Sequence, residues 1–151
     1  MTDRYVGVII LNPVNHILLQ RKDFGYKKWP GFWTTFGGKL NENETIYEGI
    51  HREIEIEETG LSLEEITFFD SISLDERKYM IQVDPSIGNC FFYSARFNGD
   101  LSKISLREGA GFSLWHPDEL PQIREKTFPY VYEVLERFYQ QLHSIPLPQS
   151  I

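Results

Sequence analysis

The stretch "HREIEIEETGL", residues 51–61, sets Glu53, Glu55, Glu57 and Glu58 into one short segment that also carries Arg52. Carboxylates gathered in this way have two chemical uses: they hold hard divalent cations, or they pair internally with a cation such as Arg52 or a lysine. At about 100° per residue in an ideal α-helix, Glu53 and Glu57 point within roughly 40° of each other, in the arc of Ile46 and Ile50. That arc faces a core, where a carboxylate is costly unless something positive meets it. Glu48 and Glu55 fall on the opposite arc and are expected as solvated surface charge. The helix alone leaves metal binding and an internal salt bridge equally open for Glu53 and Glu57.

A helix must exist to carry these groups, and its signals are present. Thr45 and Glu48 form a Thr-x-x-Glu capping box, Ile46, Ile50 and Ile54 recur at four-residue spacing, and Gly60 supplies a stop. The spacing predicts a helix from about Thr45 to Thr59. Ahead of it, residues 5–11 are rich in β-branched side chains, "NPVN" is a turn by composition, and "HILLQRK" follows, so a hairpin opens the fold. Residues 23–33, "DFGYKKWPGFW", lack either period and read as a long loop able to hang over a site, and "TTFGG" reads as a short strand entering a glycine turn. Further strands are expected at "ITFFDSISL", "KYMIQV", "CFFYSARF" and "GFSLWH", with a short helical turn at "DELPQI". Phe128, Val131, Val134, Leu135, Phe138 and Leu142 give a terminal helix at helical spacing over 127–142, followed by a loosely held tail. This order implies one α/β (α+β) domain over residues 1–151, a mixed sheet with helices on its two faces.

Composition narrows the partners. With 15 basic against 22 acidic side chains the net charge is −7, which argues against a broad positive surface for a nucleic acid polymer or an acidic membrane. A phosphate-bearing small molecule would need a cation between itself and the protein. Cys90 is the one cysteine, so no intrachain disulfide forms, and "NCFFYSARF" places it as a buried residue in a strand. "MTDRY" carries no basic, apolar leader, and "VGVIIL" is far shorter than the roughly 20 residues of a spanning helix. A soluble, cytoplasmic protein is the expectation.

The run "GFWTTFGGKLNENETIYEGIHREI" places Gly38, Glu44, Arg52, Glu53 and Ile54 in the register of the Nudix box, and Glu57, Glu58, Thr59, Gly60 and Leu61 match its far end. The chain therefore resembles the Nudix hydrolases (MutT-like), and the likeness extends outward to "ILLQRK" and "REGAGFSLWHPDEL". One residue is extra between Arg52 and Gly60. In an unbroken α-helix Ile56 would stand where the family has the first of its paired glutamates. A one-residue π-type bulge near Glu55 or Ile56 would rotate the remainder by about 100° and return Glu57 and Glu58 to both pair positions. The intact "EETGL" favours the bulge.

The resemblance implies a three-layer α/β/α sandwich and hydrolysis of a nucleoside diphosphate linked to another group. A pyrophosphate is polyanionic, so attack by water needs divalent cations, Mg²⁺ or Mn²⁺, to neutralise its oxygens. By resemblance Glu53, Glu57 and Glu58 are the metal ligands and the Gly37 carbonyl completes the cluster. Arg52 orients a neighbouring glutamate, and Glu44 braces loop and helix. Glu108, on a later loop, is a further ligand or the group that takes the proton from water, or else an ordinary loop carboxylate. Arg21 and Lys39 are phosphate contacts or solvated cations. Trp29 and Phe32, inside a Gly/Pro loop, are the aromatics expected to offer a stacking surface for a base, and Trp33, Phe112 and Trp115 are expected in the core. His51 and His116 lack metal-ligand spacing. A nucleoside triphosphate, giving monophosphate and pyrophosphate, is the first substrate. A nucleotide sugar or dinucleotide is the alternative, and a catalytically weak nucleotide-binding module is another. Many relatives are dimers, so a homodimer is compatible with the sequence.

Overall fold

The computed structural model describes residues 3–75, 80–82, 89–106 and 109–144. Glu108 and the tail from residue 145 lie outside them. Strand β1 (Tyr5–Leu11) pairs antiparallel with β2 (Ile17–Arg21), as the hairpin pattern requires, with Ile10 opposite Leu18. Two short strands, β3 (Trp33–Thr34) and β4 (Phe36–Lys39), follow the loop, and β4 returns along β1 with Gly7 opposite Gly37. Helical residues then run from Ile46 to Glu58. The chain continues into β5 (Glu64–Asp75), β6 (Met80–Gln82), β7 (Cys90–Arg96) and β8 (Gly111–Trp115). A 3₁₀ segment, Pro117–Lys126, and helix α2 (Pro129–Ser144) complete the order. "DELPQI" thus lies in the 3₁₀ segment.

The sheet is mixed. β7 lies parallel to β1, Tyr5 opposite Cys90, while β5 pairs antiparallel with β7 and β8 with β2. Strand alternation sends two sets of side chains to two faces. Val6, Val8, Ile10, Leu18 and Phe36 meet Ile50 and Ile54 of the helical segment on one face. Ile9, Leu11, Ile17 and Leu19 meet Val131, Val134, Leu135 and Phe138 of α2 on the other. Because β1 is covered on both sides, it reads as an almost unbroken apolar run. Among the described residues no helix is long and apolar enough to cross a membrane.

Candidate active site

The carboxylates stand on a helical segment built in two parts. Thr45 Oγ1 accepts the Glu48 amide at 3.1 Å and Glu48 Oε1 accepts the Thr45 amide at 3.0 Å, so the capping box starts α1 (Ile46–Ile50) as its sequence requires. From His51 to Glu58 the chain winds as a π-helix. Its wide turn closes where the Thr59 amide and hydroxyl both donate to the Ile54 carbonyl, at 2.9 and 2.7 Å. The extra residue is absorbed here, through i to i+5 winding spread along the whole segment rather than one bulge at Glu55 or Ile56.

That winding changes which groups face the sheet. The Glu58 residue is 3% exposed, while the Glu57 side chain is 49% exposed and lies at the rim, not inward as an ideal α-helix would place it. Ile56 is turned to solvent. Glu55 is not a solvated charge: it meets His51 Nδ1 at 2.9 Å and accepts the Leu63 amide at 2.8 Å.

Arg52 ties the segment to the preceding loop. Its Nε and Nη2 donate to the two oxygens of Glu44 at 2.7 and 2.8 Å, and Nη2 also reaches the Lys39 carbonyl at 3.1 Å. This fork holds the Glu44 carboxyl down at about 2, with help from the Asn41 amide. It raises Arg52 in turn, chiefly through Glu44. The same guanidinium touches Glu53 at 3.0 Å and Glu57 at 3.3 Å. The internal salt bridge left open by the helix is therefore present.

Glu58 has different neighbours. One oxygen accepts the Gly37 amide at 3.1 Å and the other accepts Gln20 Nε2 at 3.0 Å, a donor shared with the Thr35 carbonyl. Burial pushes its carboxyl up to about 8, and the negative charge of Glu53 adds to the rise. Gly37, at φ +154, cannot carry a side chain, because a Cβ would strike the Val6 carbonyl. A Cβ on Gly38 would fall 2.7 Å from the Glu53 carboxyl. The two glycines thus leave the space into which Glu53 and Glu58 project.

The donor chemistry of this strip suits a hard divalent ion, and a buried carboxyl beside a second carboxylate is a place where a cation would relieve like-charge repulsion. Among the described residues, though, no group of three or more His, Cys, Asp or Glu side chains is gathered closely enough to hold a metal. The reason is visible in the contacts: Arg52 draws on Glu53 and Glu57, and Glu58 is turned to Gln20 and Gly37. Gly37 meets the cluster through its amide in these contacts.

Beside the glycines opens a cavity of about 340 Å³. Gln20, Lys22, Tyr26, Phe92, Phe128 and Tyr130 are among the residues that line it. The positive charge of Lys22 acts on Glu58, and its ammonium lies 5.4 Å from the centre of the Tyr26 ring. Gln20, Lys22 and Tyr26 were missed by sequence reasoning. A glutamine inside the apolar "ILLQR" was the available signal for the first and the aromatic loop of residues 23–33 for Tyr26; nothing local marked Lys22.

The residues expected to meet substrate are placed otherwise. Arg21 Nε donates to the Gly31 carbonyl at 2.8 Å, and the guanidinium lies over the rings of Phe24 and Trp33. Lys39 Nζ pairs with Asp3 at 3.2 Å in an exposed contact, at the edge of an open cleft it shares with Glu53. Trp29 and Phe32 pack against the α2-side core, because the loop folds back on itself through the Phe32 amide to the Trp29 carbonyl and the Lys22 amide to the Phe32 carbonyl. They back the cavity wall, and Tyr26 is the loop ring that faces it. His51 is exposed, and His116 Nδ1 accepts the Asp118 amide at 3.0 Å as a helix cap. Cys90 is buried in β7, its thiol pushed up to about 12 by desolvation.

Known proteins resemble this chain in sequence and in fold. Over 72 residues the chain is 38% identical to the oxidized purine nucleoside triphosphate hydrolase of Mus musculus. That stretch is 47% of this chain and 43% of the mouse protein, so the chain spans less than half of that relative. The MutT protein of Methanosarcina mazei Go1 superposes with a TM-score of 0.66 at 20% identity, covering 95% of this chain and 96% of the other. The C. elegans Ap4A hydrolase, solved as a binary complex, superposes with a TM-score of 0.66 at 17% identity, covering 94% and 100%. These likenesses show the α/β/α sandwich with a mixed sheet. The profile of the NUDIX domain matches residues 1–138, nearly the whole chain, and with the box register already described this establishes that the protein belongs to the Nudix family.

Proposed function

We propose that the chain hydrolyses the pyrophosphate linkage of a nucleoside diphosphate joined to another group, with a nucleoside triphosphate as substrate and monophosphate and pyrophosphate as products. The observation that carries this is the placement of Glu58, buried beside the charge of Glu53 and held by Gly37 and Gln20, two residues that line the cavity. The mouse relative's named activity supports the choice of triphosphate over nucleotide sugar or dinucleotide.

Glu53 and Glu57, turned from Arg52 to an ion, would hold Mg²⁺ or Mn²⁺ together with Glu58, and the ion when bound would neutralise phosphate oxygens and activate water. The rest is the work of the chain. Arg52 keeps Glu53 and Glu57 on one strip, and Glu44 fixes Arg52. Lys22 brings positive charge to the cavity beside Glu58. Tyr26, Phe128 and Tyr130 offer ring faces and edges to a base. Glu108, which lies outside the described residues, is kept as the candidate to take a proton from water.

A binding module without turnover is the second reading, favoured by the guanidinium of Arg52 lying on both Glu53 and Glu57. Product analysis over a panel of triphosphates, nucleotide sugars and dinucleotides, with Mg²⁺ and with Mn²⁺, separates the two. Hydrolysis abolished by chelator is expected, and Glu58→Gln and Glu53→Gln should each lower kcat by about 100-fold or more with the fold intact. Nucleotide binding without metal-dependent turnover would establish the module instead.

A further inference from the structure

We infer that Arg21 is a positioning residue: it holds the loop of residues 23–33 as the aromatic wall of the cavity and so governs affinity for the base, not for the phosphates. The inference rests on the reading of that cavity as a nucleotide site. Arg21 ends β2, where strand alternation sends it to the face opposite Gln20. Gln20 turns to Glu58, and Arg21 turns to the loop.

Three contacts make Arg21 a strut. Nε donates to the Gly31 carbonyl at 2.8 Å, and the guanidinium carbon lies 4.9 Å from the centre of the Phe24 ring and 5.7 Å from that of Trp33. Gly31 sits at φ +72, and a Cβ there would come 2.6 Å from the Phe24 ring, so glycine lets this exposed ring lie against the backbone where Arg21 grips it. The loop is also closed on itself. The Lys22 amide donates to the Phe32 carbonyl at 2.8 Å, and the Asp23 carbonyl accepts the amides of Tyr26 and Gly31 at 3.0 and 3.3 Å.

What this closed loop presents is aromatic. The Tyr26 ring lies within 12° of parallel to Phe128, centroids 5.8 Å apart, and both line the cavity. Trp29 supports the same wall from behind, 4.7 Å from Phe128 and 6.2 Å from Tyr130. Loss of the Arg21 guanidinium frees the Gly31 carbonyl and the Phe24 ring together, and the wall moves with them. Lysine is no replacement: it keeps the charge but has neither the planar stacking surface nor the Nε donor. A phosphate contact, by contrast, would tolerate lysine as a point charge.

The experiment compares wild type, Arg21→Lys, Arg21→Met, Tyr26→Ala and the Arg21→Met/Tyr26→Ala double variant. Each is titrated with ATP in its non-hydrolysable α,β-methylene form and with inorganic tripolyphosphate in the presence of Mg²⁺. Without ligand, each is also nicked with trypsin, which reports the exposed loop sites Lys27 and Lys28. Both Arg21 variants are expected to bind ATP on the order of 10-fold more weakly with tripolyphosphate binding unchanged, the loss expected of one stacked base. The double variant should bind ATP no more weakly than Tyr26→Ala. Cleavage at Lys27 and Lys28 should accelerate in both Arg21 variants while the thermal midpoint stays within a few degrees. Equal loss for ATP and tripolyphosphate, full rescue by lysine, or an unchanged cleavage rate would each overturn the inference. A wild-type protein that binds neither ligand removes the nucleotide reading and the selectivity claim with it, and the trypsin comparison then decides the strut by itself.

Discussion

A guanidinium hydrogen-bonded to both oxygens of one carboxylate is held in a single plane, and Arg52 has that arrangement with Glu44. Its orientation then dictates where Glu53 and Glu57 find their positive partner. Because Glu44 is depressed to about 2, its ion pair stabilises the fold fully above the ordinary carboxylate value of 4.5. That stability is lost as pH falls from there towards 2. Glu44→Gln should therefore flatten the acid limb of a denaturation profile taken between pH 5 and 2, with little change in its shape near neutrality. An unaltered acid limb would mean that the pair contributes nothing at this partly buried position. Much of this residue-level chemistry was legible: Glu44, Arg52, Glu53 and Glu58 come from one contiguous motif, and the resemblance of that motif to the Nudix box associated them where helix geometry by itself paired Glu53 with Glu57 alone. Gln20 and Lys22 were not, since they reach the site across strands whose register no local pattern specifies.

At the scale of elements, the informative feature is the π-helix of His51–Glu58. The surplus residue was readable from the box spacing, and so was the need for a wide turn. How far the widening would spread was not, because it depends on Thr59 capping Ile54 twice and on Glu55 anchoring the Leu63 amide. Deleting Ile56, whose side chain faces water, would leave Arg-Glu-Ile-Glu-Glu-Glu-Thr-Gly-Leu and restore ordinary winding without removing core. The deletion variant should retain hydrolysis within about tenfold of wild type, with Glu57 and Glu58 in the same places. A collapse of turnover with the circular dichroism spectrum unchanged would mean that the wide winding itself positions the carboxylates. The long loop was also readable as a loop, but the side-chain work of Arg21 at the strand end beside it was not. An arginine at a strand end is a phosphate contact or a strut according to what the loop brings near it, and here that is the Gly31 carbonyl.

For the whole molecule, the two-faced sheet follows from strand alternation and from the apolar stripe of α2, and each was evident in the periodicity. Leu135 is fully buried at the centre of the α2 layer. Leu135→Ala should cost about 2–5 kcal/mol, measured as a lower denaturant midpoint with unchanged slope. A much smaller loss would show that the α2 layer collapses onto the gap. Pairing order was the part that periodicity could not supply, since every strand alternates alike. The parallel ladder joining Tyr5–Leu11 to Cys90–Arg96 has a temporal consequence. During synthesis the first strand emerges long before its neighbour exists, so "VGVIIL" must wait without that lateral partner until most of the chain has left the ribosome. Chain closure, rather than hairpin formation, would then limit the rate of folding, and a nascent chain stopped before residue 90 should be prone to stick to its neighbours.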